Sequence, residues 1–316
     1  MICDKNKCTG CFACYNVCPK SAIDMIEDEN GFIYPQINQN KCIECGLCKK
    51  ICPSINHLKK EEPKRCFAMY AKDSLIREKS TSGGVATIMS KLVLKDGGIV
   101  YGCSFEKNCS IKHIRVIKEE DLAMLQGSKY VHSYIGETFK QVKSDLKDDK
   151  RVLFIGTPCQ IAGLRTFLKK EYNNLILVDI ICHGVPSQKY LKEEVQRVCN
   201  TTNIDKVKFR EQNSYGFYVI KNKKMIYSQS KDKSPYCDSF MLGLSLRDNC
   251  HSCLYATKKR VSDVTIGDFW GIEKFYPELN DSNGISLICI NSEKGLNIFN
   301  EIKENRASII EVKEEN

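Results

Sequence analysis

Cys8-Thr9-Gly10-Cys11-Phe12-Ala13-Cys14-Tyr15-Asn16-Val17-Cys18-Pro19 spaces its cysteines as C-x2-C-x2-C-x3-C-P, and the pattern returns 34 residues later at Cys42, Cys45, Cys48, Cys52 and Pro53. Three thiolates at i, i+3 and i+6 suit one loop wrapped around a corner of a 4Fe-4S cubane, while the fourth reaches the cluster of the other half. The expected sets are therefore Cys8, Cys11, Cys14 with Cys52, and Cys42, Cys45, Cys48 with Cys18. Zinc also takes four thiolates, but its modules usually pair two C-x2-4-C knuckles and do not place three cysteines in a row before Cys-Pro. Gly10 and Gly46 lie inside the loops, where a positive φ turns amide hydrogens toward sulfur; simple turn glycines fit equally.

This stretch resembles the bacterial two-cluster ferredoxins over residues 1–55. The polar, charged run from Ser54 to Arg65, with Pro63 in it, marks a boundary. We read residues 1–57 as a two-cluster 4Fe-4S ferredoxin domain and 58–65 as a linker, with His57 solvated. About 250 residues follow, so the iron-sulfur part is expected to serve a larger unit.

Composition bounds that unit. Of 316 residues, 42% are hydrophobic and 28% charged, which excludes disorder, collagen and coiled coil. The longest apolar runs, Leu175 to Cys182 and Ile285 to Ile290, fall short of the roughly 18 residues of a transmembrane segment, so none is expected. Met1-Ile2-Cys3-Asp4-Lys5 lacks the apolar region of a secretory signal, which points to a cytoplasmic, reducing location where 19 cysteines mean metal or catalysis before disulfides. The net charge of +9 lies wholly after residue 57. Because the basic residues are scattered and no aromatic-interleaved basic stripe occurs, no nucleic-acid partner is expected.

The larger part alternates strand and helix patterns: strands at 66–71, 98–103, 111–117, 151–156 and 175–181, helices at 82–95, 157–171 and 186–198. Thr157-Pro158 is a helix start with Thr as N-cap and Pro in the first turn. Short strand-helix-strand connections imply parallel pairing. The expected fold is an α+β ferredoxin-like iron-sulfur domain followed by a mixed α/β domain with a partly parallel sheet.

That topology puts Cys159, in the first turn of a helix, and Cys182, after the next strand, on the carboxyl edge of one sheet, where ligands of open α/β folds bind. Cys250-His251-Ser252-Cys253 is a C-x2-C pair needing two more ligands. Joined to Cys159 and Cys182 it makes a set for a third 4Fe-4S cluster; a zinc site and a redox dithiol are the competing readings. The remaining seven, Cys3, Cys66, Cys103, Cys109, Cys199, Cys237 and Cys289, read as structural or incidental. Ser80-Thr81-Ser82-Gly83-Gly84 before a helix offers hydroxyls and amides to a diphosphate, and Lys129 adds a cation beside a turn; the plainer readings are an N-cap and a solvated charge. Gly267-Asp268-Phe269-Trp270-Gly271 reads equally as a site or as an aromatic plug, and His183 as a loop hydrogen bonder. No G-x-G-x-x-G follows a strand, so a Rossmann nicotinamide site is not expected.

Ser80-Thr81-Ser82-Gly83-Gly84, Gly127-Ser128-Lys129-Tyr130, Gly156-Thr157-Pro158-Cys159-Gln160, Cys182-His183-Gly184, Cys250-x2-Cys253 and Gly267-Asp268-Phe269-Trp270-Gly271 together resemble the coenzyme F420 hydrogenase/dehydrogenase beta-subunit family over about residues 66–290. With the ferredoxin domain in front, the chain resembles the dehydrogenase branch and proteins of bacterial polysaccharide gene clusters. The resemblance implies that 66–147 form the N-terminal part of a flavin-binding module and 148–316 its C-terminal part. It also implies FAD near a proximal 4Fe-4S cluster held by Cys159, Cys182, Cys250 and Cys253, with Ser82, Gly83, Gly84 and Lys129 beside the flavin. His132 departs from the pattern, standing where the family is expected to carry an amide side chain. The function so implied is an iron-sulfur flavoprotein oxidoreductase passing electrons between a soluble hydride carrier such as coenzyme F420, FAD and the clusters, and on to a redox partner protein or complex. A hydride carries two electrons and a 4Fe-4S cluster takes one, which is why a flavin belongs between them. The alternative is a non-enzymatic relay subunit docking a ferredoxin domain onto a larger complex.

Overall fold

The computed structural model describes residues 2–211, 214–279 and 284–312. The chain opens with α1 (Ala13–Val17), the antiparallel hairpin of β1 (Ile23–Glu27) and β2 (Ile33–Ile37), and α2 (Leu47–Lys50). Then come β3 (Arg65–Ala71), α3 (Ser74–Glu78), α4 (Val85–Lys95), β4 (Ile99–Glu106), β5 (Ser110–Val116), α5 (Thr138–Lys147), β6 (Val152–Gly156), α6 (Pro158–Leu168), β7 (Leu175–Ile180) and α7 (Gln188–Cys199). A meander of β8 (Lys206–Glu211), β9 (Ser214–Lys221) and β10 (Lys224–Ser230) follows, then α8 (Pro235–Met241), β11 (Val264–Asp268), β12 (Ser286–Ile290), α9 (Glu293–Arg306) and β13 (Ala307–Val312).

The larger sheet has eight strands in the order β13-β3-β12-β11-β7-β6-β4-β5. Its centre, β4, β6, β7 and β11, is parallel, and antiparallel strands flank it. Val152-Leu153-Phe154 of β6 is fully buried, as the apolar run of a strand covered on both faces requires. On one face α4 (Val85, Ile88, Met89, Leu92, Val93) and α9 (Ile298, Phe299, Ile302) pack into one core. On the other, α5 (Phe139, Val142, Leu146) and α6 (Ile161, Leu164, Phe167, Leu168) share a core with Phe12, Ala13 and Ile33 from the front of the chain. An isolated helix as short as α4 is marginal in water, so the packing of its apolar face, about 1.5–3 kcal/mol per large side chain, holds it.

The mixed α/β fold with a partly parallel sheet, preceded by a small α+β ferredoxin-like segment, is the one expected. Several ends differ. The helix expected from Ser82 starts at Val85 because Gly84, at φ +83°, is left-handed, and α6 stops at Leu168 because Lys169 turns left-handed at φ +63°. The β8–β10 sheet adds to the expected elements, although Val207 and Phe209 alternate with Lys206, Lys208 and Arg210 in the manner of a half-buried strand. Residues 58–65 are tied down: Glu61 and Arg260 exchange backbone hydrogen bonds at 2.8 Å, and Lys64 N–H donates to the Ile290 carbonyl at 2.7 Å. Among the described residues no helix is long and apolar enough to cross a membrane.

Candidate functional site

The first cysteine set surrounds a cavity. Cys8, Cys11 and Cys14 line it from the loop into α1, and Cys52 enters from beyond α2, so the fourth thiol does come from the other motif. Met25, Pro35 and Cys3 complete the walls of this small hollow. The donor set fits a 4Fe-4S cluster: four thiols around one hollow, with Gly10 at φ +63° in the loop. Cys3, incidental by its spacing, is the fifth thiol here. Its S–H donates to Cys52 and Cys8, which lowers both of those thiols and raises its own. Burial pushes Cys11 up to about 12.

The second set is more open. Burial raises the Cys48 thiol, and the nearby Cys18 and Cys45 add repulsion, so Cys18 stands with the second motif. The amide of Ala22 donates to Cys18 Sγ at 3.2 Å. Gly46, at φ +70°, has open space where a side chain would be, and Cys45 is exposed.

The third set is assembled by the parallel sheet. β6 and β7 pair Gly156 with Asp179, and β7 and β11 pair Ile180 with Ile266, so Cys159 in the first turn of α6, Cys182 just after β7 and Asp268 at the end of β11 all lie at the carboxyl edge. Thr157 opens α6, its amide bonded to Gln160 Oε1 at 3.0 Å and its hydroxyl 3.1 Å from Cys159 Sγ. Cys250 lies on the 3-10 turn Asp248–Ser252 and Cys253 caps its end. Burial pushes Cys182 up to about 12, with repulsion from Cys250 and Cys253, and raises Cys159 well above the usual thiol, with repulsion from Cys182, Cys250 and Cys11. Such buried neutral thiols would release protons on binding a cationic core, the linkage seen wherever cysteine takes a metal. Among the described residues no three His, Cys, Asp or Glu side chains close up as they do around a single metal ion.

The helix that carries Cys159 packs against the first loop. A Cβ on Gly163 of α6 would lie 2.9 Å from Cys11 Cβ and 3.0 Å from its Sγ, so glycine lets the helix carrying Cys159 meet the first loop. Tyr255, buried, stands among Cys159, Cys11, Cys253 and Cys52.

On the other side lie the glycine-rich turns. Ser82 Oγ donates to the Ile285 carbonyl at 3.1 Å, and a Cβ on Gly83 would meet the Met69 carbonyl at 2.2 Å. Lys129 Nζ donates to the carbonyls of Leu125 and Gln126 at 2.8 and 2.9 Å, and burial lowers it to about 8; its charge is spent on the turn. The cation that gathers these loops is one that no sequence motif marks. Arg210, on β8, bonds Asp268, the Thr81 carbonyl, the Tyr215 hydroxyl and, at 3.3 Å, the Tyr130 hydroxyl. Thr81 and Ser128 hydroxyls meet at 3.0 Å, and the exposed Trp270 sets its ring edge-on to Tyr215. Tyr130 stacks on Phe240 at 4.8 Å, and Phe240 meets the ring of His183, next to Cys182, at 5.0 Å. His183 bonds the Phe240 carbonyl at 3.0 Å, the loop role expected. His132 lies instead against Gly10, in the first set.

Comparison with known proteins decides the family. The family model for the C terminus of the beta subunit of coenzyme F420 hydrogenase/dehydrogenase matches residues 149–316. The chain belongs to this family. A 4Fe-4S dicluster domain matches residues 7–56, so this beta-subunit-family member is an iron-sulfur redox protein with a dicluster ferredoxin domain in front. It is 26% identical to the coenzyme F420-dependent sulfite reductase of Methanocaldococcus jannaschii over 96% of this chain and 47% of that protein. An uncharacterized ferredoxin of the same organism is 50% identical over 34 residues, 11% of this chain and 44% of that protein. The chain thus spans about half the length of the curated relative it matches throughout. Its fold is similar to that of a chain in the F420-reducing [NiFe] hydrogenase complex of Methanosarcina barkeri, with TM-score 0.56 at 17% identity, covering 79% of this chain and 83% of that one.

Proposed function

We propose that this beta-subunit-family member exchanges a hydride with a soluble carrier, coenzyme F420 or a similar deazaflavin, through FAD, and relays single electrons through three 4Fe-4S clusters to a redox partner complex. The observation that carries this reading is the position of the third cysteine set. It has the Tyr130, Phe240 and His183 rings toward Arg210 on one side and the Gly163–Cys11 contact toward the ferredoxin segment on the other. When bound, the flavin supplies the exchange between paired and single electrons, and the clusters supply one-electron steps.

The chain's own residues bind and orient. Cys8, Cys11, Cys14 and Cys52 would hold one cluster, Cys42, Cys45, Cys48 and Cys18 the second, and Cys159, Cys182, Cys250 and Cys253 the third. Ser82, Gly83 and Gly84 would border the flavin as the turn before α4, while Lys129 fixes the neighbouring turn that presents Ser128 and Tyr130. Arg210, fixed by Asp268, would present a guanidinium to an anionic part of the cofactor or carrier. Residues 1–57 would act as the exit module and 66–316 as the flavin-binding one.

Anaerobic reconstitution with iron, sulfide and FAD tests this on the wild type and on a Cys250→Ala, Cys253→Ala double variant. About twelve irons and one flavin per chain, falling to about eight irons in the variant, is the expected result. About eight irons in both with no flavin would leave a relay subunit only.

A further inference from the structure

Arg247 is fully buried, three residues before Cys250, and reaches away from it into the first cysteine loop. Its Nε donates to the Cys8 carbonyl at 2.7 Å and Nη2 to the Ile33 carbonyl at 2.9 Å, while the guanidinium lies 4.1 Å above the Tyr34 ring. Among the described residues Nη1, also buried, has no hydrogen-bond partner. The guanidinium carbon would be 3.4 Å from a Cβ on Gly10, so it backs directly onto the loop holding Cys8 and Cys11.

Among the described residues no carboxylate pairs with it. A guanidinium stays charged at any ordinary pH, and a buried charge with no opposite charge costs several kcal/mol. The two carbonyls and the ring offset part of that cost. The group that can supply a full counter-charge is the one the adjacent four thiols are built to hold. With its thiolates a 4Fe-4S cluster carries about −2, and about −3 after gaining one electron, so a fixed neighbouring cation favours the reduced form more than the oxidised. Among the described residues the second set has no equivalent: its loop is open at Gly46 and Cys45 is exposed to water.

We propose that Arg247 is the buried counter-charge of the cluster held by Cys8, Cys11, Cys14 and Cys52, and holds its reduction potential above the value a neutral residue there would give. Arg247 is a positioning residue: it binds neither iron nor substrate, and acts only through its charge beside the first cluster. The inference rests on the assignment of those four cysteines to one cluster.

The test is an anaerobic redox titration of the reconstituted full chain, followed by electron paramagnetic resonance, in wild type, Arg247→Gln and Arg247→Lys. The first cluster's signal is identified as the one lost in Cys11→Ser. Gln should lower that midpoint at least tenfold in the reduced-to-oxidised ratio, which is 59 mV for one electron. The other signals should move less than half as far, and Lys should restore the midpoint to within threefold. Unmoved midpoints in a Gln chain with wild-type iron would overturn the inference while leaving the cluster assignment intact. If Gln prevents folding, the Lys chain decides: a midpoint within threefold supports the inference, and a tenfold fall at full iron overturns it. A wild-type chain that never binds iron at Cys8, Cys11, Cys14 and Cys52 would overturn the assignment and the inference together.

Discussion

Gly163 stands directly against Cys11, and a methyl group there would fall 2.9 Å from Cys11 Cβ. This contact is part of the packing that joins the helix that starts the third cysteine set to the loop that starts the first. Gly163→Ala gains helix propensity of about 1 kcal/mol, but the clash is with the base of a side chain that its own loop and iron hold in place. We expect the clash to win by about 1–2 kcal/mol. Thermal unfolding of the reconstituted chain reads the result, and a raised midpoint would show that the two elements part freely.

The crossing of the fourth cysteine makes a sharper test of the ferredoxin segment. Cys18 lies in the first motif but stands with Cys45 and Cys48 of the second. Cys18→Ser and Cys42→Ser should therefore remove the same resonance signal, and the double variant should lose no more than either. If Cys18→Ser instead removed the signal that Cys11→Ser removes, the sets would be uncrossed.

Burial lowers His113 to about 4, despite its hydrogen bond to the Ile155 carbonyl at 3.0 Å. The unfolded imidazole takes its proton near 6.5, above the folded value, so between those pH values the unfolded chain binds more protons. Stability is full above about 6.5 and falls by about 1.4 kcal/mol per unit as pH drops below it, levelling off near 4. His132, lowered by burial to about 3, works in the same direction. Urea unfolding of His113→Gln at pH 7.5 and 5.5 should show a smaller pH loss than wild type, whatever its absolute stability. Equal losses would mean that His113 is already protonated in the folded chain.

The parts of the site that are local are legible in the sequence. Cysteine spacing fixes two loops, and Thr157-Pro158 with Gln160 fixes a helix start, which in turn fixes the carboxyl edge where Cys159 and Cys182 stand. Hidden are the residues whose partners are far away in the chain. Arg247 meets Cys8 across 239 positions and Arg210 meets Thr81 across 129, and neither carries any local pattern. Cys3 stands outside the repeated spacing, so nothing distinguishes it from the scattered thiols until the fold brings it to Cys8 and Cys52. Lys129 is legible as a cation but not as one turned back on its own turn, because the carbonyls it caps belong to the residues that follow a 3-10 helix, Glu119–Met124.

Arg210 gives the prediction that separates a flavoenzyme from a relay. Its side chain is 12% exposed and Asp268's is 26%, so the pair is largely shielded from water yet borders the edge where Trp270 is exposed. Removing one partner of a shielded pair strands the other, at a cost that reaches about 3–5 kcal/mol when burial is complete and less here. Arg210→Lys keeps the charge and loses the fork that reaches Thr81, Tyr130, Tyr215 and Asp268 together. The reconstituted Lys variant should keep about twelve irons while its affinity for FAD falls at least tenfold, read by fluorescence titration. Arg210→Met should lose flavin altogether, still without loss of iron, because the groups Arg210 bonds, Asp268, Thr81, Tyr130 and Tyr215, include none of the twelve cysteines. Flavin affinity unchanged in both variants would move the cofactor away from Arg210, and iron lost together with flavin would mean that the residue holds the fold instead.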